Sequence, residues 1–257
     1  MANVYFDLTA ELNAHQPIAL LASGQAVVYY RLAMMSKDGD WILRETPEAC
    51  ERVLEVLGGR GARYRPGAPL DVRWLAGGWS SHFELFDSER RRVRCDFFTR
   101  PPRVSRAWLS ERFASGEPGK LLVVDIEPLI RMKQTQRAKD YPAISELARL
   151  LVPQQELELT MDPDRVLELA PGFGARSRRP CVQAALKGTG RDAVLVALAR
   201  EMDDLRRQDH DRVERYRKAA EPYLRAVREE DVAALPLREA HNRLCALAER
   251  WLPQVPA

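Results

Sequence analysis

Residues 36–43 read Ser-Lys-Asp-Gly-Asp-Trp-Ile-Leu, a polar stretch that leads into an apolar run. The run at residues 41–43 is typical of a short strand, and Asp38 and Asp40 lie at its start. Residues i and i+2 of an extended chain point to the same face, so a strand here places the two carboxylates side by side. Two adjacent negative charges repel, which favours a cation between them. The alternative interpretation is an ordinary polar turn, because Asp and Gly are common turn residues.

A second apolar run, over residues 18–22, precedes the acidic pair. We predict a strand there, which ends at Ser23 and Gly24, where a helix begins. Two small residues at the start of a helix leave backbone N–H groups free, and such groups form a natural anion-binding site. The sequence therefore predicts an anion site just upstream of Asp38 and Asp40.

Helix and strand patterns alternate in the rest of the first 152 residues. Thr46 and Pro47 predict the start of a helix. Strand-like runs then occupy residues 70–75, 82–86, 93–99 and 121–126. The second and third of these flank a polar turn, which predicts a hairpin. A third acid, Asp96, lies within the hairpin among strand-forming residues, where a carboxylate needs a partner or a metal.

A long helical pattern follows, from about residue 127 to 151, and Pro142 is predicted to split it in two. The strand signal fades after Pro153. Residues 191–230 are dense in helix formers and charge, and residues 237–252 form another amphipathic stretch. These patterns predict an α+β fold, with a mixed sheet flanked by helices in residues 1–152 and a mostly helical region in residues 153–257.

Composition excludes several classes of protein. The 257 residues are 46% hydrophobic and 30% charged, which excludes a disordered chain, and the apolar runs are far shorter than a membrane span. Forty Lys and Arg against 37 Asp and Glu give a net charge of +3, too balanced to indicate nucleic acid or lipid by charge alone. Four scattered cysteines fit a reducing compartment. Because no leader pattern begins the sequence, we predict a cytoplasmic protein without membrane contact.

The stretch Ser23-Gly24-Gln25-Ala26, residues 36–40 and Asp96 together resemble the nucleotidyltransferase superfamily of polymerase-beta-like fold. Its minimal bacterial and toxin-type members carry a Gly-Gly-x-Ala turn, an Arg-x-Thr-x-Asp-x-Asp stretch and a later aspartate on a strand. The likeness covers about residues 15–151, judged by the order and spacing of the motifs.

Members of this superfamily often carry a helix with the pattern Lys-x-x-x-Arg-x-x-Asp. Lys133, Arg137 and Asp140 stand at that spacing, and positions i, i+4 and i+7 share one face of a helix. The resemblance therefore implies that Lys133 binds the nucleotide and that Arg137 assists it. It implies likewise that Ser23 and Gly24 present donors to the phosphates.

The chemistry implied by the resemblance is a metal-dependent nucleotidyl transfer. A nucleoside monophosphate would move from a nucleoside triphosphate to the hydroxyl of an unknown acceptor, which is RNA, a protein or a small molecule. Asp38 and Asp40 would hold two Mg²⁺ ions. Asp96 would complete the metal site and favour deprotonation of the acceptor. In-line attack on the α-phosphorus would release pyrophosphate.

Two residues depart from the superfamily pattern and support an alternative hypothesis. Met34 stands where an arginine is common, and Gly39 stands where an apolar residue usually separates the aspartates. The alternative is a catalytically inactive protein that keeps the fold and acts as a protein- or RNA-binding module. Arginine-rich stretches such as residues 212–217 would then form the contact surface, although such charges are also typical of a solvated helix.

Overall fold

A computed structural model describes residues 3–256, without the side chain at position 233. Within them the chain forms the strands β1 (Ala19–Ala22), β2 (Asp38–Leu43), β3 (Arg63–Arg65), β4 (Ser81–Phe86) and β5 (Arg92–Phe98). Its helices are α1 (Val4–Leu12), α2 (Ser23–Tyr29), α3 (Pro47–Gly59), α4 (Val72–Leu75), α5 (Arg106–Ala114), α6 (Ile126–Lys133), α7 (Tyr141–Ala148), α8 (Pro153–Leu159), α9 (Pro163–Phe173), α10 (Pro180–Leu186), α11 (Arg191–Glu229) and α12 (Leu237–Trp251). None of these helices combines the length and the apolar character needed to cross a membrane.

The five strands form one mixed sheet in the order β1-β2-β5-β4-β3. The pair β2 and β5 is parallel, whereas the other neighbouring strands are antiparallel. Parallel neighbours need a long connection, and here it contains α3, β3, α4 and β4. This mixed sheet with flanking helices, followed by an all-helical region from residue 153 onward, confirms the predicted α+β class.

Burial alternates along β4 and β5, as expected for a sheet with one face in the core and one face partly open to solvent. On the core face, Trp41 of β2 stacks on Phe97 of β5 with ring centroids 5.1 Å apart. The indole Nε1 of Trp41 also donates to Thr9 Oγ1 of α1 at 2.8 Å. The opposite face therefore carries the charged residues of these strands.

Several local predictions are confirmed. The strand at β1 passes directly into α2 at Ser23, and the hairpin of β4 and β5 forms as its polar turn predicts. Helix α3 begins at Pro47, and the hydroxyl of Thr46 accepts from the backbone N–H of Ala49 at 3.3 Å. A helix cap involves residues that are close in the sequence, so it can be predicted without knowledge of the tertiary structure.

Two predicted strands are wrong. Residues 72–75 form a helical turn, because the Asp71 side chain accepts from the backbone N–H of Arg73 at 2.9 Å and caps it. Residues 121–126 contribute only one bridge to the sheet, between Leu21 and Val123. The strand β3 was not predicted, since three residues are too few to show an alternating pattern.

The helix predicted over residues 127–151 is interrupted earlier than Pro142. Helix α6 ends at Lys133, a short 3-10 helix covers Ala138–Asp140, and α7 starts at Tyr141. Pro142 lies in the first turn of α7, where a missing N–H costs nothing. The prediction that Lys133, Arg137 and Asp140 share one helix face is therefore wrong.

The chain divides into two compact units. The sheet unit comprises Met1–Val124 and Glu214–Ala257, and the helical unit comprises Asp125–Val213. The helical unit has its own apolar core, formed by Leu157, Val166, Leu169, Ala170, Cys181, Val182, Val194 and Leu198. The boundaries of these compact units differ from the predicted domain boundary after residue 152. The two predicted domains, residues 1–152 and 153–257, stay a prediction.

Candidate functional site

The register of β2 and β5 places the three predicted aspartates on the half-exposed face of the sheet. Asp40 and Asp96 are direct partners on these parallel strands, and Asp38 lies two residues before Asp40, opposite Arg94. All three side chains are partly exposed, whereas Gly39 and Cys95 between them are buried. The structure thus brings Asp38, Asp40 and Asp96 onto one face, which we call the acidic site.

Basic side chains of the same face contact two of these acids. Arg94 Nη1 lies 3.4 Å from Asp38 Oδ1. Arg65 Nη1 lies 3.3 Å from Asp96 Oδ1, and His82 Nδ1 lies 2.8 Å from the same oxygen. His82 is the partner of Asp96 on β4, and Arg65 is the partner of His82 on β3. Across β2, β5, β4 and β3 this row therefore holds two neighbouring acids, Asp40 and Asp96, followed by two basic residues, which lie beside Asp96 and offset part of its negative charge.

Sequence reasoning did not identify these basic partners. Arg92, Arg94 and Asp96 occur at every second position of β5, so strand periodicity was a usable signal for their common face. His82 also contacts Ser80, whose Oγ lies 3.2 Å from the imidazole Nε2. The side chains of Ser80, His82 and Asp96 consequently form a continuous polar chain, although the Nδ1 of His82 is not aligned for a hydrogen bond to the carboxylate.

Aromatic rings occupy the space beside Gly39, including the ring of Tyr5 from α1. Gly39 lies within β2, paired with Cys95, so the strand remains regular between the two aspartates. A Cβ atom on Gly39 would lie 2.4 Å from Tyr5 Cδ1 and 2.5 Å from Trp41 Cη2. The ring of Tyr5 therefore fills the space that a side chain at position 39 would need.

Ser23 and Gly24 lie at the same end of the sheet as the acidic pair. Ala22, the last residue of β1, is the partner of Asp40, and Ser23 follows it with a left-handed φ of +50°. A Cβ atom on Gly24 would lie 2.2 Å from Ser36 Oγ. The absence of a side chain at position 24 thus lets the segment that leads to Asp38 approach the start of α2. A phosphate-binding role for Ser23 and Gly24 stays a prediction.

Hydrogen bonds fix the segment that precedes Asp38. Gln25 Nε2 donates to the carbonyl of Ser36 at 2.9 Å, and the hydroxyl of Tyr5 donates to the carbonyl of Lys37 at 2.8 Å. A cavity of about 750 Å³ lies beside this segment. Asp38 lines it together with the basic residues Lys37, Arg91, Arg92 and Arg94. An anionic group in this cavity would therefore meet several cations next to Asp38.

The Tyr5 hydroxyl provides a pH-dependent test of this arrangement. Burial raises the pKa of Tyr5 to about 12, above the value of 10.0 for an unperturbed tyrosine. The contribution of Tyr5 to stability is therefore complete below pH 10 and is lost as the pH rises through 12. We expect Tyr5→Phe to lower the free energy of unfolding by about 1 kcal/mol at pH 8 and by much less near pH 12.

The measurement is the difference in unfolding free energy between wild type and Tyr5→Phe as a function of pH. Tyr29→Phe is the matched control, because the Tyr29 side chain is exposed. At pH 8 it should lose less stability than Tyr5→Phe does. A Tyr5→Phe difference that stays constant from pH 8 to 12 would contradict the assignment.

The two predicted basic binding residues belong to the helical unit. Lys133 is buried at the end of α6. Arg137 precedes the short 3-10 helix, and its Nε donates to Asp140 Oδ2 at 2.8 Å. Thr135 Oγ1 donates to the same carboxylate oxygen at 2.7 Å. Within its own unit Arg137 therefore has an acidic partner, and nucleotide binding by Lys133 and Arg137 stays a prediction.

A magnesium ion at the acidic site stays a prediction. Its ligands would be carboxylate oxygens, which are the groups that Mg²⁺ prefers. The contact of Asp38 with Arg94 is long and partly exposed, and such ion pairs contribute little to stability. Replacing this contact by a metal ion would therefore cost little free energy. Across residues 3–256, no three His, Cys, Asp or Glu side chains already converge on a metal position. Binding would therefore require rotation of these carboxylates.

The chain was also compared with known proteins. No protein-family model matches the chain, and no curated protein matches it significantly. Among solved structures, JHP933 from Helicobacter pylori is similar, with 12% identity, a TM-score of 0.38, and coverage of 80% of this chain and 91% of that one. A Helicobacter pylori protein provisionally described as a nucleotidyltransferase has the same identity and TM-score, with coverage of 79% and 93%.

Proposed function

We propose that this protein is a metal-dependent nucleotidyltransferase that moves a nucleoside monophosphate from a nucleoside triphosphate to a hydroxyl acceptor. The supporting observation is the register of β2 and β5, which sets Asp40 beside Asp96 with Asp38 on the same face. Neighbouring carboxylates repel each other, and a bound metal ion would reduce that repulsion between Asp40 and Asp96.

In this proposal each group of the sheet unit has a distinct role. Asp38, Asp40 and Asp96 would hold two Mg²⁺ ions, which when bound would neutralise the triphosphate and polarise its α-phosphate. Asp96 also orients the acceptor hydroxyl and favours the loss of its proton. Arg94, once separated from Asp38, is positioned to contact a phosphate oxygen.

The bond changes in the proposed reaction are those of an in-line displacement. The acceptor oxygen forms a bond to the α-phosphorus, and the bond to the pyrophosphate oxygen breaks. Ser23 and Gly24 donate to the phosphates at the end of β1.

Calorimetric titration tests the proposal. Each of the four nucleoside triphosphates is titrated into the protein with Mg²⁺ and again with a chelator. We expect at least one triphosphate to bind about tenfold or more tightly with Mg²⁺, and Asp38→Ala to weaken that binding by at least about tenfold, or 1.4 kcal/mol. Asp211→Ala, which removes an exposed acid from α11, is the control and should bind as wild type does.

Transfer is measured separately with a label on the α-phosphate. The label should reach an acceptor only with Mg²⁺, and Asp38→Ala should abolish this transfer. The absence of binding by all four triphosphates would contradict the proposal. Transfer that survives Asp38→Ala would contradict the role assigned to Asp38.

A second candidate is a non-catalytic RNA- or protein-binding module. The observation that favours it is the engagement of Asp38 and Asp96 by basic side chains of the sheet itself. Such pairing neutralises the acids without any metal. Retention on RNA that weakens with added salt, together with no triphosphate binding, would select this candidate.

A further inference from the structure

A second cavity of the sheet unit lies at the opposite end of β2 from Asp38. Its volume is about 440 Å³, which is within the range of small-molecule sites. Leu43, the last residue of β2, and Thr99, which follows β5, contribute to its wall. Asp40, the residue of the acidic site nearest to Leu43 on β2, is three positions or about 10 Å away, and none of Asp38, Asp40 and Asp96 lines this cavity. The cavity is therefore separate from the acidic site.

One wall of this cavity is apolar. It is formed by Leu43 at the end of β2, by Val104, and by Leu109 and Phe113 on one side of α5. Leu43, Leu109 and Phe113 are largely buried, so their contact with a ligand would bury apolar surface of the ligand with little further ordering of the protein. The wall suits an aliphatic or aromatic body.

Glu45, the acid that lines this cavity, already has a cationic partner. Glu45 accepts from Arg100 Nε at 2.7 Å, from Arg100 Nη2 at 2.8 Å and from Thr99 Oγ1 at 3.0 Å. These hydrogen bonds lower the pKa of Glu45 below its usual value. Glu45 therefore remains ionised and paired with Arg100, and it has little capacity left for a cationic ligand.

Two further arginines of the rim differ from Arg100. Arg44 donates through Nη2 to the carbonyl of Phe113 at 3.2 Å, and its guanidinium lies 5.5 Å from the centroid of the Phe113 ring. Arg106 begins α5, and its positive charge contributes to the lowered pKa of Glu45, which places it near the rim. In the described part of the chain, neither Arg44 nor Arg106 forms an ion pair with a carboxylate. The lining thus carries three arginines and one acid.

We propose that this cavity binds a small amphipathic anion, whose apolar body lies against Leu109 and Phe113 and whose single acidic group meets Arg44 and Arg106. Guanidinium groups bind carboxylates and related oxyanions through paired hydrogen bonds, which gives the site its preference for an anion. This proposal does not depend on the acidic site, because it involves other residues and no metal.

Two fluorescent probes that differ by one charge test the proposal. The probes are 1-anilinonaphthalene-8-sulfonate and its neutral analogue N-phenyl-1-naphthylamine, each titrated into the full chain. We expect saturable binding with one site, and about tenfold or greater preference for the sulfonate. Octanoate should displace the sulfonate probe, whereas octan-1-ol should be much less effective.

Variants connect the preference to this cavity. Arg106→Gln, at an exposed position, should reduce the preference for the sulfonate at least fivefold, and Arg225→Gln, an exposed arginine of α11, should leave it unchanged. Leu109→Trp should fill the cavity and weaken the binding of both probes. Its circular dichroism and thermal transition serve as the check that it folds.

Three results would overturn the proposal. They are the absence of saturable probe binding, equal affinities for the two probes, and a preference that Arg106→Gln does not change. Because none of these measurements uses a nucleotide or Mg²⁺, their failure is distinguishable from failure of the proposed transferase activity.

Discussion

Replacing Gly39 by alanine is expected to lower the free energy of unfolding of the sheet unit by about 2 kcal/mol or more. The added Cβ would lie 2.4 Å from the ring of Tyr5 and 2.5 Å from that of Trp41. Trp41 is fully buried and stacks on Phe97, so it cannot move away without disturbing a second ring. The strain is therefore passed to the backbone of β2.

The position of Gly39 gives this variant a second effect. Because Gly39 separates Asp38 from Asp40, a shift of β2 would also change the spacing of the two carboxylates. The magnesium-dependent triphosphate binding that we propose should consequently weaken in the fraction of Gly39→Ala that remains folded. Stability is measured by urea unfolding followed through tryptophan fluorescence.

Gly59→Ala is the matched control for this substitution. Gly59 ends α3, and a Cβ there would have no neighbour within 4 Å. Alanine is the better helix former, so this variant should be as stable as wild type or slightly more stable. Equal stabilities for Gly39→Ala and Gly59→Ala would contradict the close approach of Tyr5 and Trp41.

The local features of the acidic site could be predicted from the sequence, whereas its cross-strand contacts could not. Alternation along β2 already places Asp38 and Asp40 on one face, and the hairpin carries Asp96. The pairing of β2 with β5 joins residues more than fifty positions apart, and no short-range pattern encodes it. The contacts of Asp96 with His82 and Arg65 depend instead on the register of the hairpin of β4 and β5 and on the pairing of β4 with β3, a strand that was not predicted.

The break after α6 shows how tertiary contacts override helical periodicity. The pattern of Lys133, Arg137 and Asp140 favours one continuous helix face. In the structure, the backbone N–H of Gln136 instead donates to the buried carboxylate of Asp209 at 2.9 Å. A buried carboxylate needs hydrogen-bond donors, and Asp209 lies far from this segment in the sequence. The N–H of Gln136 donates to Asp209 rather than within a continued helix, and α6 ends at Lys133.

A buried ion pair of the helical unit carries the largest expected change in stability. Glu156 of α8 is almost fully buried, and its two carboxylate oxygens accept from Arg165 Nε and Nη2 of α9, each at 2.7 Å. Arg165→Ala is expected to lower the free energy of unfolding by about 3–5 kcal/mol, because it leaves a buried charge without its partner. Hydrogen exchange should locate the loss of protection in the apolar core of this unit.

Arg191→Ala provides the comparison that isolates burial as the cause. Arg191 forms a similar contact with Asp164, from its Nε at 2.7 Å, but both side chains are more than half exposed. Solvent already screens that pair, so its loss should cost less than about 1 kcal/mol. Similar losses in Arg165→Ala and Arg191→Ala would contradict the importance of burial.

The double variant Glu156→Leu/Arg165→Met separates the value of the ion pair from the cost of breaking it. An apolar pair of similar volume needs no compensation for buried charge, so this variant should recover most of the stability lost in Arg165→Ala. Recovery would mean that Arg165→Ala is destabilising because it leaves the Glu156 carboxylate buried without a partner, and not because the attraction between Glu156 and Arg165 is lost. A double variant as unstable as Arg165→Ala would instead show that the bidentate contact itself holds α8 against α9.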